Sequence, residues 1–247
     1  MTVEDERQLA GLRRSGALVR DILRAMLNEA KPGVTGLELD RMAQDMMDRA
    51  GARSAPRAAY NFPGATCISI EGVAAHGIPD ARPLREGDLI NIDVSLELDG
   101  YWTDSGASMV VGNQPTKDQA KLLDATKRAM TKGIYAAKAG QPINEIGKRV
   151  EAEAKAAGFK VCSTLTGHGV GRHIHEEPTV WNHYVRSARQ RLTEGLVITV
   201  EPFLTPGNAK IVEADDGWSL YPADLAPMAQ FEHTIVVTRG APIIVTA

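Results

Sequence analysis

Residues 31–51, KPGVTGLELDRMAQDMMDRAG, align without gaps on residues 138–158, KAGQPINEIGKRVEAEAKAAG. Lys31 matches Lys138, Gly33 matches Gly140, Glu38 matches Glu145, Ala50-Gly51 match Ala157-Gly158, and Arg41 faces Lys148. Strand-rich sequence follows each copy. Two readings fit. Two amphipathic helices can share a pattern by chance, or the chain is an internal duplication of helix-helix-sheet halves, about 31–111 and 138–238, packed about a pseudo-twofold axis. The second predicts a single α+β domain over residues 1–247, with any active site between the halves.

The surrounding sequence supplies the elements. Leu9, Leu12, Leu18, Ile22 and Met26 lie near helical spacing over residues 4–30, and Pro32-Gly33 stops that helix. Thr35 and Glu38 form a capping-box pattern opening a helix over 36–50 that Gly51 closes. Pro56, Pro63 and Gly64 mark a loop, after which Cys67-Ile-Ser-Ile70 reads as a strand. Residues 88–96 alternate as a strand, Asp99-Gly100 is a hairpin turn signal, and the return strand runs from about 101 to 111. Helices are predicted over 117–138 and from Gly140-Gln-Pro142 to Gly158.

With 247 residues the chain can bury a substantial core without disulfides. A content of 43% hydrophobic against 24% charged residues excludes a chain disordered throughout. A net charge of -3 argues against broad nucleic-acid or anionic-membrane binding. Cys67 and Cys162 are too few for a disulfide scaffold and show no metal-ligand spacing. The charged N-terminus lacks an apolar signal core, and no apolar run approaches membrane-span length. The expectation is a soluble, cytoplasmic protein.

Acidic residues in strands carry the chemistry, because an ionised carboxylate on a buried face is costly unless paired. Asp93 lies in Leu-Ile-Asn-Ile-Asp-Val, Asp104 follows the hairpin, Glu201 ends Leu-Val-Ile-Thr-Val-Glu, and Glu232 precedes His-Thr-Ile-Val-Val-Thr. A two-residue turn at Asp99-Gly100 sets Ser95 opposite Asp104, so Asp93 and Asp104 become diagonal neighbours about 7–8 Å apart at Cα. Two anions there repel unless a cation lies between them. A hydrated edge hairpin is the alternative for that pair alone. His168 and His175 sit with His173 in the glycine-rich Thr-Gly-His-Gly-Val-Gly-Arg-His-Ile-His-Glu-Glu-Pro178, whereas His76 taken alone also fits a structural role before a turn. Carboxylates with an imidazole suit Mn²⁺, Fe²⁺, Co²⁺ or Zn²⁺, and four carboxylates imply two ions, as in hydrolases including aminopeptidases.

These segments, namely His76-Gly-Ile-Pro-Asp80, Asn91-Ile-Asp93 with Asp104, Gly167-His168-Gly with His175-Glu-Glu-Pro178, Thr199-Val-Glu201-Pro202 and Glu232-His-Thr-Ile-Val-Val-Thr238, resemble the type I methionine aminopeptidases. That family has the pita-bread α+β fold, a curved antiparallel sheet between duplicated halves, shared with aminopeptidase P, prolidase and creatinase. The resemblance implies metal ligands at Asp93, Asp104, His168, Glu201 and Glu232, with Asp104 and Glu232 bridging two ions. It implies that Glu201 relays a proton while metal-activated water attacks the first peptide carbonyl, that His175 hydrogen-bonds the carbonyl oxygen, and that His76 acts near the leaving amide. Tyr60, Phe62, Cys67 and Trp218, with His76 and His175, would bind substrate and form the methionine side-chain pocket. The job implied is removal of the initiator methionine from nascent chains with a small second residue, near the ribosomal exit tunnel, by a monomer with no membrane or specific DNA partner. Arg186, Arg189 and Arg191 form a small basic cluster that is either a ribosome contact or a solvated loop. Glu71-Gly72, Ala75, Ala58-Ala59 and His173 depart from the family's usual residues while leaving the ligand set intact.

Two rival readings compete with it. Aminopeptidase P and prolidase use the same ligands but usually carry a long extra N-terminal domain, for which this chain has no room. A pita-bread binding module without metals lacks the ligands, which are all present here.

Overall fold

Thr35 accepts a hydrogen bond from the Glu38 backbone N–H, and the Glu38 carboxylate accepts one from the Thr35 N–H, so the box predicted from sequence opens helix α2 (Gly36–Ala50). Gly51 ends it in the left-handed region, with φ 70°. Helix α1 (Glu6–Glu29) begins where Asp5 accepts from the Gln8 N–H at 2.7 Å, and it ends before Pro32-Gly33. The computed structural model describes residues 1–112 and 114–247.

The proline-marked stretch predicted as loop contains a helix. Ala55–Tyr60 forms α3, with Ser54 capping the Arg57 N–H and Pro56 in the first turn. Proline suits that position, since its missing N–H has no intrahelical partner there. Beyond it, Cys67–Ile70 pairs antiparallel with Leu89–Leu98, which pairs in turn with Tyr101–Val110. The hairpin register is the one the turn signal predicts: Leu98 faces Tyr101 and Ser95 faces Asp104. Asp99 and Gly100 both have positive φ, 54° and 82°, as a tight mirror-image turn requires.

Helices α4 (Lys117–Ala136) and α5 (Asn144–Ala157) introduce the second sheet. Its strands lie in the order Ile243–Ile244, His233–Val236, Val197–Val200, Gly167–Gly169, Glu176–Val180, all antiparallel. Each sheet has its own apolar backing. Leu39 and Met47 of α2 and Ile22 and Met26 of α1 bury against Ile68, Ile90, Ile92 and Leu96. Ile134 of α4 and Ile146 of α5 bury against Ile198, Val200 and Ile235. Each such side chain contributes about 1.5–3 kcal/mol on leaving water, so apolar burial stabilises both sheets.

The sheets meet at the return strand of the hairpin. The Glu232 N–H donates to the Gly106 carbonyl at 2.9 Å, and Ser105 Oγ donates to the Glu232 carbonyl at 2.7 Å. Thr234 Oγ1 both accepts from the Asp104 N–H and donates to the Asp104 carbonyl. Asp104 and Glu232 are thus brought together by one backbone bond and by the Ser105 and Thr234 hydroxyls across the join. No helix among the described residues is long and apolar enough to cross a membrane.

Candidate metal centre

Asp93 and Asp104 leave adjacent antiparallel strands on one face, as their diagonal register requires. Glu232 joins them from the second sheet. His168 enters from a strand squeezed between two others: a Cβ on Gly169 would lie 2.2 Å from the Glu177 carbonyl oxygen, so only glycine permits that approach. Glu201 follows Val200 at the strand's end. One ligand atom each of Asp104, His168 and Glu232 lie within 4.8 Å of one another. His168 Nε2 is 3.4 Å from Glu201 Oε1 and 3.8 Å from Asp104 Oδ2.

The protonation pattern suits a cation. His168 Nδ1 lies 2.9 Å from the Gly169 carbonyl oxygen, which can only accept, so the ring hydrogen is assigned to Nδ1 and the Nε2 lone pair faces the carboxylates. Burial, with the nearby His175, pushes the His168 pKa down to about 3, keeping that lone pair free. Burial raises Asp93, and raises Asp104, Glu201 and Glu232 well above the usual carboxylate range; neighbouring carboxylates push these last three further. Asp104 Oδ1 and Glu232 Oε1 are buried without a hydrogen-bond partner among the described residues. Unpartnered carboxylate oxygens around an unprotonated imidazole nitrogen fit a divalent ion with mixed nitrogen and oxygen ligands.

The centre opens into a cavity of about 310 Å³ lined by Asp93, Asp104 and all six residues predicted to bind substrate: Tyr60, Phe62, Cys67, His76, His175 and Trp218. Pro56, Ser95 and Ile174 also line it. Phe62 and Trp218 meet edge to face at 5.1 Å, and His175 packs edge-on against His168 at 4.3 Å. The Tyr60 hydroxyl is hydrogen-bonded to His175 Nδ1. Burial pushes the Cys67 thiol well up, so it is a neutral, apolar wall. Burial, then the proximity of His76, lowers the His175 pKa. Arg186, Arg189 and Arg191 lie exposed on a separate loop, where Arg191 donates to the Gly140 carbonyl at 2.5 Å.

Supporting residues were missed by reasoning on ligands alone. Thr199 Oγ1 donates to Glu201 Oε1 at 2.8 Å and accepts from the His168 N–H at 3.0 Å. Gln230 Nε2 donates to Glu232 Oε2 at 3.0 Å, and the Gln230 side-chain oxygen accepts from Asn91. Both lie two residues before a ligand, and the period of two in extended chain was the available signal.

The model of metallopeptidase family M24 matches residues 10–239. The chain is 42% identical to methionine aminopeptidase 2 of Bacillus subtilis (strain 168), with 100% of this chain and 99% of that one covered. It is 40% identical to a methionine aminopeptidase of Staphylococcus epidermidis, with 100% and 98% covered. It superposes on the crystal structure of methionine aminopeptidase from Rickettsia prowazekii with a TM-score of 0.95 at 34% identity, both chains being covered in full. Prolidase from Pyrococcus furiosus has a TM-score of 0.79 at 21% identity over 65% of its own length, a likeness of fold alone.

Proposed function

The chain belongs to metallopeptidase family M24, and from that premise we propose how its centre works as a metal-dependent aminopeptidase that removes N-terminal methionine. Its fold is the pita-bread α+β arrangement predicted from sequence. The observation that carries the reading is the pair of unpartnered buried oxygens, Asp104 Oδ1 and Glu232 Oε1, gathered with the His168 lone pair beside a cavity walled by aromatic rings.

In this reading Asp93, Asp104, His168, Glu201 and Glu232 would hold two divalent ions of the Co²⁺, Mn²⁺, Fe²⁺ or Zn²⁺ class. The ions supply Lewis-acid charge, which makes water a stronger nucleophile at neutral pH and polarises a carbonyl. Glu201, whose Oε1 is already held by Thr199, accepts and passes on the proton. His175 donates from the cavity wall to the carbonyl oxygen of the first peptide bond, and His76 stands on the leaving-amide side. Phe62, Trp218, Tyr60 and Cys67 take the thioether side chain, with sulfur–aromatic contacts of about 0.3–1.5 kcal/mol each favouring methionine over leucine.

We extend this to nascent chains with a small second residue as substrates, a cytoplasmic monomer as the working form, and residues 1–247 as one catalytic domain made of two related halves. Neutralising Arg186, Arg189 and Arg191 together tests the ribosome contact: unchanged co-sedimentation dismisses it. Calorimetric titration of EDTA-stripped protein with Mn²⁺ tests the centre. Two bound ions are expected in the wild type and weakened binding in Asp93→Asn; an unaltered isotherm in that variant removes Asp93 from the ligand set.

A further inference from the structure

Tyr60 carries a contact that an apolar pocket wall does not need. It is the last residue of α3, where Asn61 turns left-handed at φ 58° and its N–H returns to the Arg57 carbonyl at 3.1 Å. The loop that follows is tied to α2 by the buried Asp40 carboxylate, which accepts from the Ala65 and Thr66 N–H groups, each at 2.9 Å, and from Thr66 Oγ1 at 2.8 Å. The backbone therefore fixes where the Tyr60 ring starts. That ring stands at the cavity mouth, 46% exposed, its centroid 5.4 Å from that of His175 and its hydroxyl hydrogen-bonded to His175 Nδ1.

His175 is held from its own side too. The neighbouring Glu176 carboxylate accepts from the Arg172 N–H at 2.5 Å and the His173 N–H at 2.7 Å, knotting the loop before it. The His175 Nε2 makes no hydrogen bond to any described residue, and the side chain lines the cavity with Asp93 and Asp104. A neutral imidazole has one N–H and one lone pair, and the partner of one nitrogen decides which atom keeps the hydrogen. A phenol hydroxyl donates to a basic ring nitrogen, and burial raises the Tyr60 pKa, so that hydrogen stays on oxygen near neutrality.

We propose that Tyr60 is a positioning residue: by donating its hydroxyl hydrogen to His175 Nδ1 it keeps the His175 ring hydrogen on Nε2, the tautomer able to donate to the scissile carbonyl oxygen. With the hydrogen on Nδ1 instead, a lone pair would face an oxygen gaining negative charge, and the contact would repel. The inference rests on the His175 role given under the proposed function, and it adds a polar task to a residue otherwise assigned to the pocket wall.

Tyr60→Phe removes the hydroxyl and keeps the ring. Nitrogen-15 NMR of histidine-labelled, Zn²⁺-loaded enzyme is expected to show the His175 hydrogen on Nε2 in the wild type and on both nitrogens in exchange in the variant. On peptides beginning Met-Ala, kcat is expected to fall about tenfold, less than the roughly 10²-fold or more of losing an oxyanion donor outright. KM should stay within twofold, the preference for methionine over norleucine should be unchanged, and Tyr60→Phe added to His175→Ala should change nothing further. The proposal is overturned by a wild-type His175 hydrogen on Nδ1, by an unchanged kcat in Tyr60→Phe, by a raised KM alone, or by an equal loss in the His175→Ala background. If His175→Ala itself leaves kcat within twofold, the carbonyl contact fails, and the NMR result still decides separately whether Tyr60 sets the tautomer.

Discussion

Asp104→Asn should make the metal-stripped protein more stable while destroying its metal site. Asp104 and Glu232 offer ligand atoms within 4.8 Å of each other. At an effective dielectric of about 20, two full charges at that separation repel by about 3.5 kcal/mol. Proton uptake by the cluster limits the penalty, because burial already raises both carboxylates well above their usual range. Asparagine keeps the shape of the side chain, removes one charge, and can present an amide hydrogen to the unpartnered Glu232 Oε1. The net expectation is a gain of about 1–3 kcal/mol in EDTA, a range bounded above by that repulsion. Urea unfolding at pH 7 measures it, with equal m-values checking that the denatured states match. With Mn²⁺ at about 1,000 times its dissociation constant the order should reverse, since binding adds about 4.1 kcal/mol to the wild type alone. A variant less stable than wild type in EDTA by about 1 kcal/mol or more, the scale of a lost hydrogen bond, would refute the reasoning, because Asp104 would then be a satisfied structural carboxylate.

The same cluster sets a pH dependence. Raised pKa values mean that the folded state binds more protons, so metal-free wild type should lose stability as pH rises from about 4, the ordinary carboxylate value, through the folded values. Denaturant midpoints rising over that window would contradict it. Thr199→Val removes the bonds to Glu201 and His168 at constant shape, and metal affinity should drop about 10–100-fold by calorimetry. Trp218→Leu should narrow the preference for methionine over norleucine by up to about tenfold in kcat/KM, the scale of one sulfur–aromatic contact, and an unchanged ratio removes Trp218 from the pocket. Gly169→Ala would drive a Cβ to 2.2 Å from the Glu177 carbonyl oxygen, so metal binding and thermal stability should both fall, and a variant matching wild type in both would show that the strand can yield.

The sequence carried the site further than the fold. The hairpin was legible because its turn chemistry is local, and once Ser95 faces Asp104 the Asp93–Asp104 diagonal follows from the pleat. The capping box at Thr35 and Glu38 was legible for the same reason. Helix α3 was hidden by the proline that begins it, since Pro56 in a first turn looks in sequence like Pro56 in a loop. The supporting bonds of Gln230 and Thr199 were hidden differently. They join side chains to ligands across or along strands whose pairing is set by distant contacts, such as those between Glu232 and Gly106, rather than by local propensity. The link between Tyr60 and His175 spans 115 positions, and no local pattern records it.

The central claim is that the buried cluster around His168 is a metal centre that acts on N-terminal methionine. Release of free methionine from a Met-Ala peptide, followed before EDTA, after EDTA and after Mn²⁺ is restored, tests it most directly when wild type and His168→Ala are run side by side. The account predicts activity lost to EDTA and recovered with Mn²⁺ in the wild type, and little recovery in the variant. Undiminished release in EDTA, or equal recovery in His168→Ala, would contradict it.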